Sequence, residues 1–72
     1  MNTDRIREML GRGEPVYMKD DFYDVAIRIA GQTDVFMKHK GRGEVSVPYD
    51  YDLVCDIELG GTFISEKEYA NY

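Results

Sequence analysis

The sequence predicts an α+β domain, with an N-terminal helix packed on an antiparallel meander sheet of about five strands and a short C-terminal helix. Three observations point there. Ile6, Met9 and Leu10 fall on one stripe at helical spacing. Most segments between Pro15 and Leu59 alternate apolar and polar side chains with the two-residue period of a half-buried strand. Ser65-Glu66-Lys67-Glu68 is a serine-to-glutamate capping box, a helix-start signature. A small, strongly curled SH3-like barrel would bury the same apolar positions and stands as the alternative.

The elements follow in order. Thr3 to Leu10 reads as a helix, with Thr3 as N-cap, Asp4 at the positive end of the dipole and Gly11 as the stop. Pro15 to Lys19 reads as a first strand, since proline suits a strand start or an edge. Lys19-Asp20-Asp21 makes a turn. Phe22 to Ala30 gives the clearest alternation, with Tyr23, Val25, Ile27 and Ile29 inward and Phe22, Asp24, Ala26, Arg28 and Ala30 outward. After the Gly31-Gln32-Thr33 turn, Asp34 to Lys40 is a strand with Val35, Met37 and His39 inward and Phe36 outward. Gly41-Arg42-Gly43 signals a tight hairpin into Glu44 to Val47, where Val45 and Val47 face inward. Pro48 ends that strand. Leu53 to Leu59 alternates again and reads as the last strand, with Leu53, Cys55, Ile57 and Leu59 inward. Ile64 and Tyr69 flank the capping box as a hydrophobic staple, and the final helix ends at Asn71 or Tyr72.

Size and composition bound the function. The 72 residues suffice for a single domain, 1–72, with a modest core. Apolar residues make up 43% and charged residues 32%, a globular balance. No apolar run is long enough to span a membrane, and Met1-Asn2-Thr3-Asp4 carries no signal-peptide h-region. Cys55 is a single cysteine and forms no internal disulfide, which fits a reducing, cytoplasmic setting.

Catalytic chemistry finds no support in the residues, and the expectation is a protein that is not an enzyme and needs no cofactor. His39 is the single histidine and reads as a partly buried strand-end residue rather than a general base. Cys55, between Leu53 and Ile57, reads as a small buried hydrophobe rather than a nucleophile. The acids of Asp50-Tyr51-Asp52 lack the glycine and distal glutamate of a calcium loop, and no zinc spacing exists. Gly11-Arg12-Gly13-Glu14 recurs as Gly41-Arg42-Gly43-Glu44; a duplicated unit would explain it, and so would coincidence in a glycine-rich chain.

The net charge is −5 and unevenly spread: residues 28–44 carry +2 and residues 45–72 carry −5. Binding is therefore the expected activity, and a protein partner with a basic surface is the expected partner. Tyr49, Asp50, Tyr51 and Asp52, continued by Asp56 and Glu58, form the candidate surface, because tyrosines beside carboxylates offer rigid contact area together with charge. Spaced carboxylates can also imitate a phosphate backbone. Small acidic inhibitors of this type are common on phages and mobile elements, where anti-CRISPR and similar anti-defence proteins block host machinery; the likeness is one of type. A weaker alternative is a nucleic-acid-binding accessory domain that uses Arg28, Lys38, Lys40 and Arg42 with Phe36 stacking on a base. A further alternative is self-association through an edge strand and Phe36, so the chain is expected as a monomer or homodimer.

Overall fold

Alternation of apolar and polar side chains carries the sheet through four consecutive strands, and a computed structural model describing residues 2–72 shows how they pair. The elements are α1 (Asn2–Gly11), β1 (Val16–Asp20), β2 (Val25–Ile29), β3 (Val35–His39), β4 (Glu44–Val47), α2 (Asp52–Gly60), β5 (Thr62–Phe63) and α3 (Glu66–Ala70). Met1, part of the polar opening segment, lies outside the described residues. The sheet order is β4-β3-β2-β1-β5 with every pairing antiparallel. The expected helix, five-stranded antiparallel sheet and terminal helix are all present. The sheet is open, with β4 and β5 at its edges, and does not close into a barrel.

One face of the sheet presents Val16 and Met18 of β1, Val25, Ile27 and Ile29 of β2, and Val35 and Met37 of β3. These residues form one core with Ile6 of α1 and Val54 and Ile57 of α2. Burying such side chains stabilises the fold by roughly 1.5–3 kcal/mol each. The opposite face carries Tyr17, Ala26, Arg28, Phe36 and Lys38, and α3 packs on it over β1 and β2. Tyr69 of α3 is buried there, its ring 5.3 Å from that of Tyr17. Ala26 was expected outward; it does point to that face, but the cover leaves it fully buried.

The largest departure concerns Leu53 to Leu59, expected as a strand. These residues form α2 instead. Leu53, Val54 and Ile57 lie on one side of a helix, so Val54, expected outward, is completely buried, while Leu59, expected inward, is 66% exposed. Asp52 in the first turn complements the helix dipole. The fifth strand is the two-residue β5, which pairs with the free side of β1 through Met18–Phe63 and Lys19–Thr62.

Smaller departures have local causes. β2 starts at Val25, not Phe22, because Asp20 closes a turn over residues 21–24; Tyr23 is thus exposed rather than inward. Val45 lies on the core face but beyond the cover of the helices, and is 54% exposed. His39, at the end of β3, is exposed rather than partly buried. α1 runs through Gly11, and the chain leaves it in a Schellman arrangement whose positive-φ glycine is Gly13 rather than Gly11: Gly13 N–H, at φ 75°, donates to Leu10 O and Glu14 N–H to Met9 O, at 3.0 Å each. The two Gly-Arg-Gly-Glu segments therefore do different work, one ending a helix and the other turning the β3–β4 hairpin, where Gly41 rather than the third residue has positive φ. The capping box at Ser65 forms as expected, with Glu68 N–H donating to Ser65 Oγ at 3.1 Å.

Gly61 is the most tightly enclosed of the glycines. A Cβ there would lie 2.6 Å from Ile57 O and 2.8 Å from Lys19 O, both backbone atoms that cannot swing aside. Gly61→Ala is expected to cost about 1–3 kcal/mol in chemical denaturation. The helical assignment of α2 has its own test. Val54→Ala should cost about 1–3 kcal/mol, whereas Leu59→Ala should stay within about 0.5 kcal/mol. A strand with Val54 outward would reverse that order.

Candidate functional site

Two acidic, aromatic segments project from opposite ends of the sheet. At one end, the β1–β2 turn is held by Asp20, whose Oδ1 accepts from the N–H groups of Phe22 at 2.8 Å and Tyr23 at 3.2 Å. Asp24 completes the turn in the left-handed region at φ 52°, a conformation aspartate tolerates better than most residues. The result sets Phe22, 86% exposed, beside Tyr23 in an edge-to-face pair with ring centres 4.9 Å apart. Asp21 and Asp24 flank the pair.

At the other end, Pro48 stops β4, and Tyr51 N–H donates to Pro48 O at 3.2 Å to turn the chain into α2. Tyr49, Asp50, Tyr51 and Asp52 are all exposed. Asp52 and Asp56, one helical turn apart, share the solvent side of α2. Glu58 does not join them. It is half-buried and lines an open groove of about 470 Å³ with Thr3, Ile6, Arg7 and Leu10 of α1. Burial there pushes its carboxyl above the ordinary range. Five of the six residues expected at the acidic surface thus remain outward, and the sixth turns toward α1 because the segment is a helix.

The basic residues are differently placed. Arg28 Nε bonds Glu44 Oε1 at 2.8 Å, and that partner raises its guanidinium above the ordinary value. The same guanidinium lies 4.2 Å over the Phe36 ring, which is half-buried beneath it. Lys38 Nζ bonds the carbonyls of Tyr69 at 2.9 Å and Ala70 at 3.2 Å, where a cation satisfies the last carbonyls of a helix. Lys40 Nζ sits 6.0 Å from the Tyr72 ring, and Arg42 is exposed on the hairpin. Most of this set is engaged in holding α3 and β4 to the sheet.

Cys55 is half-buried on α2, and no group of three or more His, Cys, Asp or Glu among the described residues is placed to hold a metal ion. The Asp20–Asp24 turn was missed as a candidate surface: its aromatics continue the alternation of β2 and so read as strand. The available signal was Asp20 itself, a residue that caps its own turn two and three positions on. Comparison of the chain with protein-family models, with curated proteins and with solved structures finds no match. Among the described residues no helix is long and apolar enough to cross a membrane.

Tyr69 supplies a test of this surface's scaffold. Its hydroxyl is buried beside the Arg28–Glu44 pair without reaching hydrogen-bonding geometry to a protein group. Burial, then Glu44, pushes the phenol well above its ordinary value near 10. The folded-state value lies above the unfolded one, so its contribution is intact below that ordinary value and lost as pH rises past it. Tyr69→Phe should therefore add about 1 kcal/mol at neutral pH and weaken the alkaline fall in stability, read by denaturant titrations at several pH values.

Proposed function

We propose that the protein is a small binding module, without catalytic chemistry, that presents acid-flanked aromatic side chains to a basic surface on a protein partner. One observation carries this reading. Each exposed large aromatic among the described residues, Phe22, Tyr23, Tyr49 and Tyr51, adjoins an aspartate in the chain. Exposed aromatics are rigid, carry little rotamer entropy and dominate binding hot spots; the neighbouring carboxylates steer and orient a cationic partner. Three basic side chains are instead engaged within the chain: Arg12 pairs with Glu8 and Glu14, Arg28 with Glu44, and Lys38 with α3. This division favours a basic protein site over a nucleic-acid backbone, which the net charge of −5 repels. An inhibitor that occupies a phosphate-binding groove, as an anti-defence protein of a phage or mobile element would, is the functional setting that fits such a surface.

The nucleic-acid reading is weakened by the same geometry. Arg28 and Lys38 would have to give up their internal partners, and Phe36 would have to shed its guanidinium cover before stacking on a base.

Affinity capture from lysate, with and without nuclease and at low and moderate salt, tests the proposal. The expected outcome is one discrete basic protein that survives nuclease. Its binding should fall by about tenfold or more in Phe22→Ser, which leaves melting unchanged, and in Asp52→Lys/Asp56→Lys, which stays folded at a cost of about 0.3–1 kcal/mol from the lost helix-dipole contact. Recovery of nucleic acid alone, or a partner indifferent to both variants, contradicts it.

A further inference from the structure

The two edges of the sheet are built differently. β5 is two residues long, and shortness is one way a sheet avoids pairing with other chains. β4 runs Glu44–Val47 with no lysine or proline inside it and in unbroken register with β3. The direction of its free backbone groups follows from the ladder. Ala30 N–H donates to Asp34 O at 2.8 Å and Lys40 N–H to Asp24 O at 3.0 Å, so these pairs, and alternate pairs between them, are hydrogen-bonded. Phe36 and Lys38 therefore turn their N–H and C=O groups toward β2. Val35 and Met37 turn theirs toward Val47 and Val45 of β4. Glu44 and Ser46 are left directing N–H and C=O away from the sheet. Between them stands Val45, on the core face yet 54% exposed.

We propose that β4 pairs antiparallel with β4 of a second copy of this chain about a twofold axis at Val45, joining two five-stranded sheets into one. The pairing opposes Glu44 with Ser46 of the second copy, and Ser46 with its Glu44, which satisfies the outward groups of both strands. Val45 meets Val45 of the second copy at the close spacing of a non-hydrogen-bonded pair. Pro48 selects this register. Centring on Ser46 would oppose Glu44 with Pro48, which has no N–H to offer its carbonyl. Charge selects the occupant. Antiparallel pairing lays the hairpin with Lys40 and Arg42 beside the Pro48–Asp50 segment of the other copy, cations against Asp50. Glu44 is already neutralised by Arg28 in its own chain and faces a serine, so no like charges stand opposed. The net charge of −5 on each chain acts at long range and is screened beyond about 10 Å at 0.1 M salt. The seam draws Tyr49 and Asp50 out of the acidic surface on which the functional reading rests. Asp52, Asp56 and the β1–β2 turn stay free, so a dimer presents each of them twice.

Sedimentation equilibrium of the full chain tests it. The expected mass rises with concentration from 8.3 kDa toward twice that value. Val45→Lys sets two ammonium groups across the axis and should give a monomer with unchanged melting. Arg42→Glu should weaken association by about tenfold, and adding Asp50→Arg should restore it. A chain that stays at 8.3 kDa up to its solubility limit overturns the proposal. So does a dimer that persists in folded Val45→Lys, or a double variant no stronger than Arg42→Glu alone.

Discussion

The arrangement depends on the seat of α2 against β1. Val54 and Ile57 close the core over Val16 and Met18, and the chain then passes Lys19 O so tightly that only glycine fits at 61. That passage sets β5 beside β1, since Gly61 precedes Thr62 directly. It also anchors α1, because Asn2 Nδ2 donates to Gly61 O at 3.0 Å. A domain of this size has little stability to spare, so one contact shared by two helices and an edge strand weighs heavily.

The same seat decides which surfaces are free. Because α1 and α2 gather over β1, the outer end of the core face, at Val45, is left open. α3 covers the opposite face, and the cations of the central strands are spent there on Glu44 and on the carbonyls that end α3. Glu8, Glu14 and Glu44 are spent on arginines, whereas Asp24, Asp50, Asp52 and Asp56 form no ion pair among the described residues. They collect in the β1–β2 turn and around the start of α2, beside the exposed aromatics. The molecule is acidic outside its hairpin because 14 Asp and Glu residues outnumber nine Lys and Arg residues, so carboxylates remain once the internal pairs are made.

Much of this was legible in the sequence, and the failures are instructive. The stripe of Ile6, Met9 and Leu10, the alternation from Val16 to Val47 and the capping box at Ser65 each signal one structure only. Leu53 to Leu59 signals two. Leu53, Cys55, Ile57 and Leu59 fit a strand; Leu53, Val54 and Ile57 fit a helix; and seven residues are too few for periodicity to choose. The choice falls to tertiary packing, because the core face needs a second helix to cover it. The acidic surface inherits that error: Tyr49 to Asp52 and Asp56 survive the change from strand to helix, whereas Glu58 rotates toward α1. Phe22 and Tyr23 were obscured for another reason, since alternation continues across the turn that expels them.

Residue-resolved amide hydrogen exchange on dilute protein tests the account most directly. The Gly61 amide, bonded to Ile57 O at 2.7 Å, should exchange as slowly as those of β1 and β2, while the Glu44 and Ser46 amides exchange freely. Rapid exchange at Gly61 together with alternating protection across residues 53–59 would contradict the seat of α2 and everything built on it.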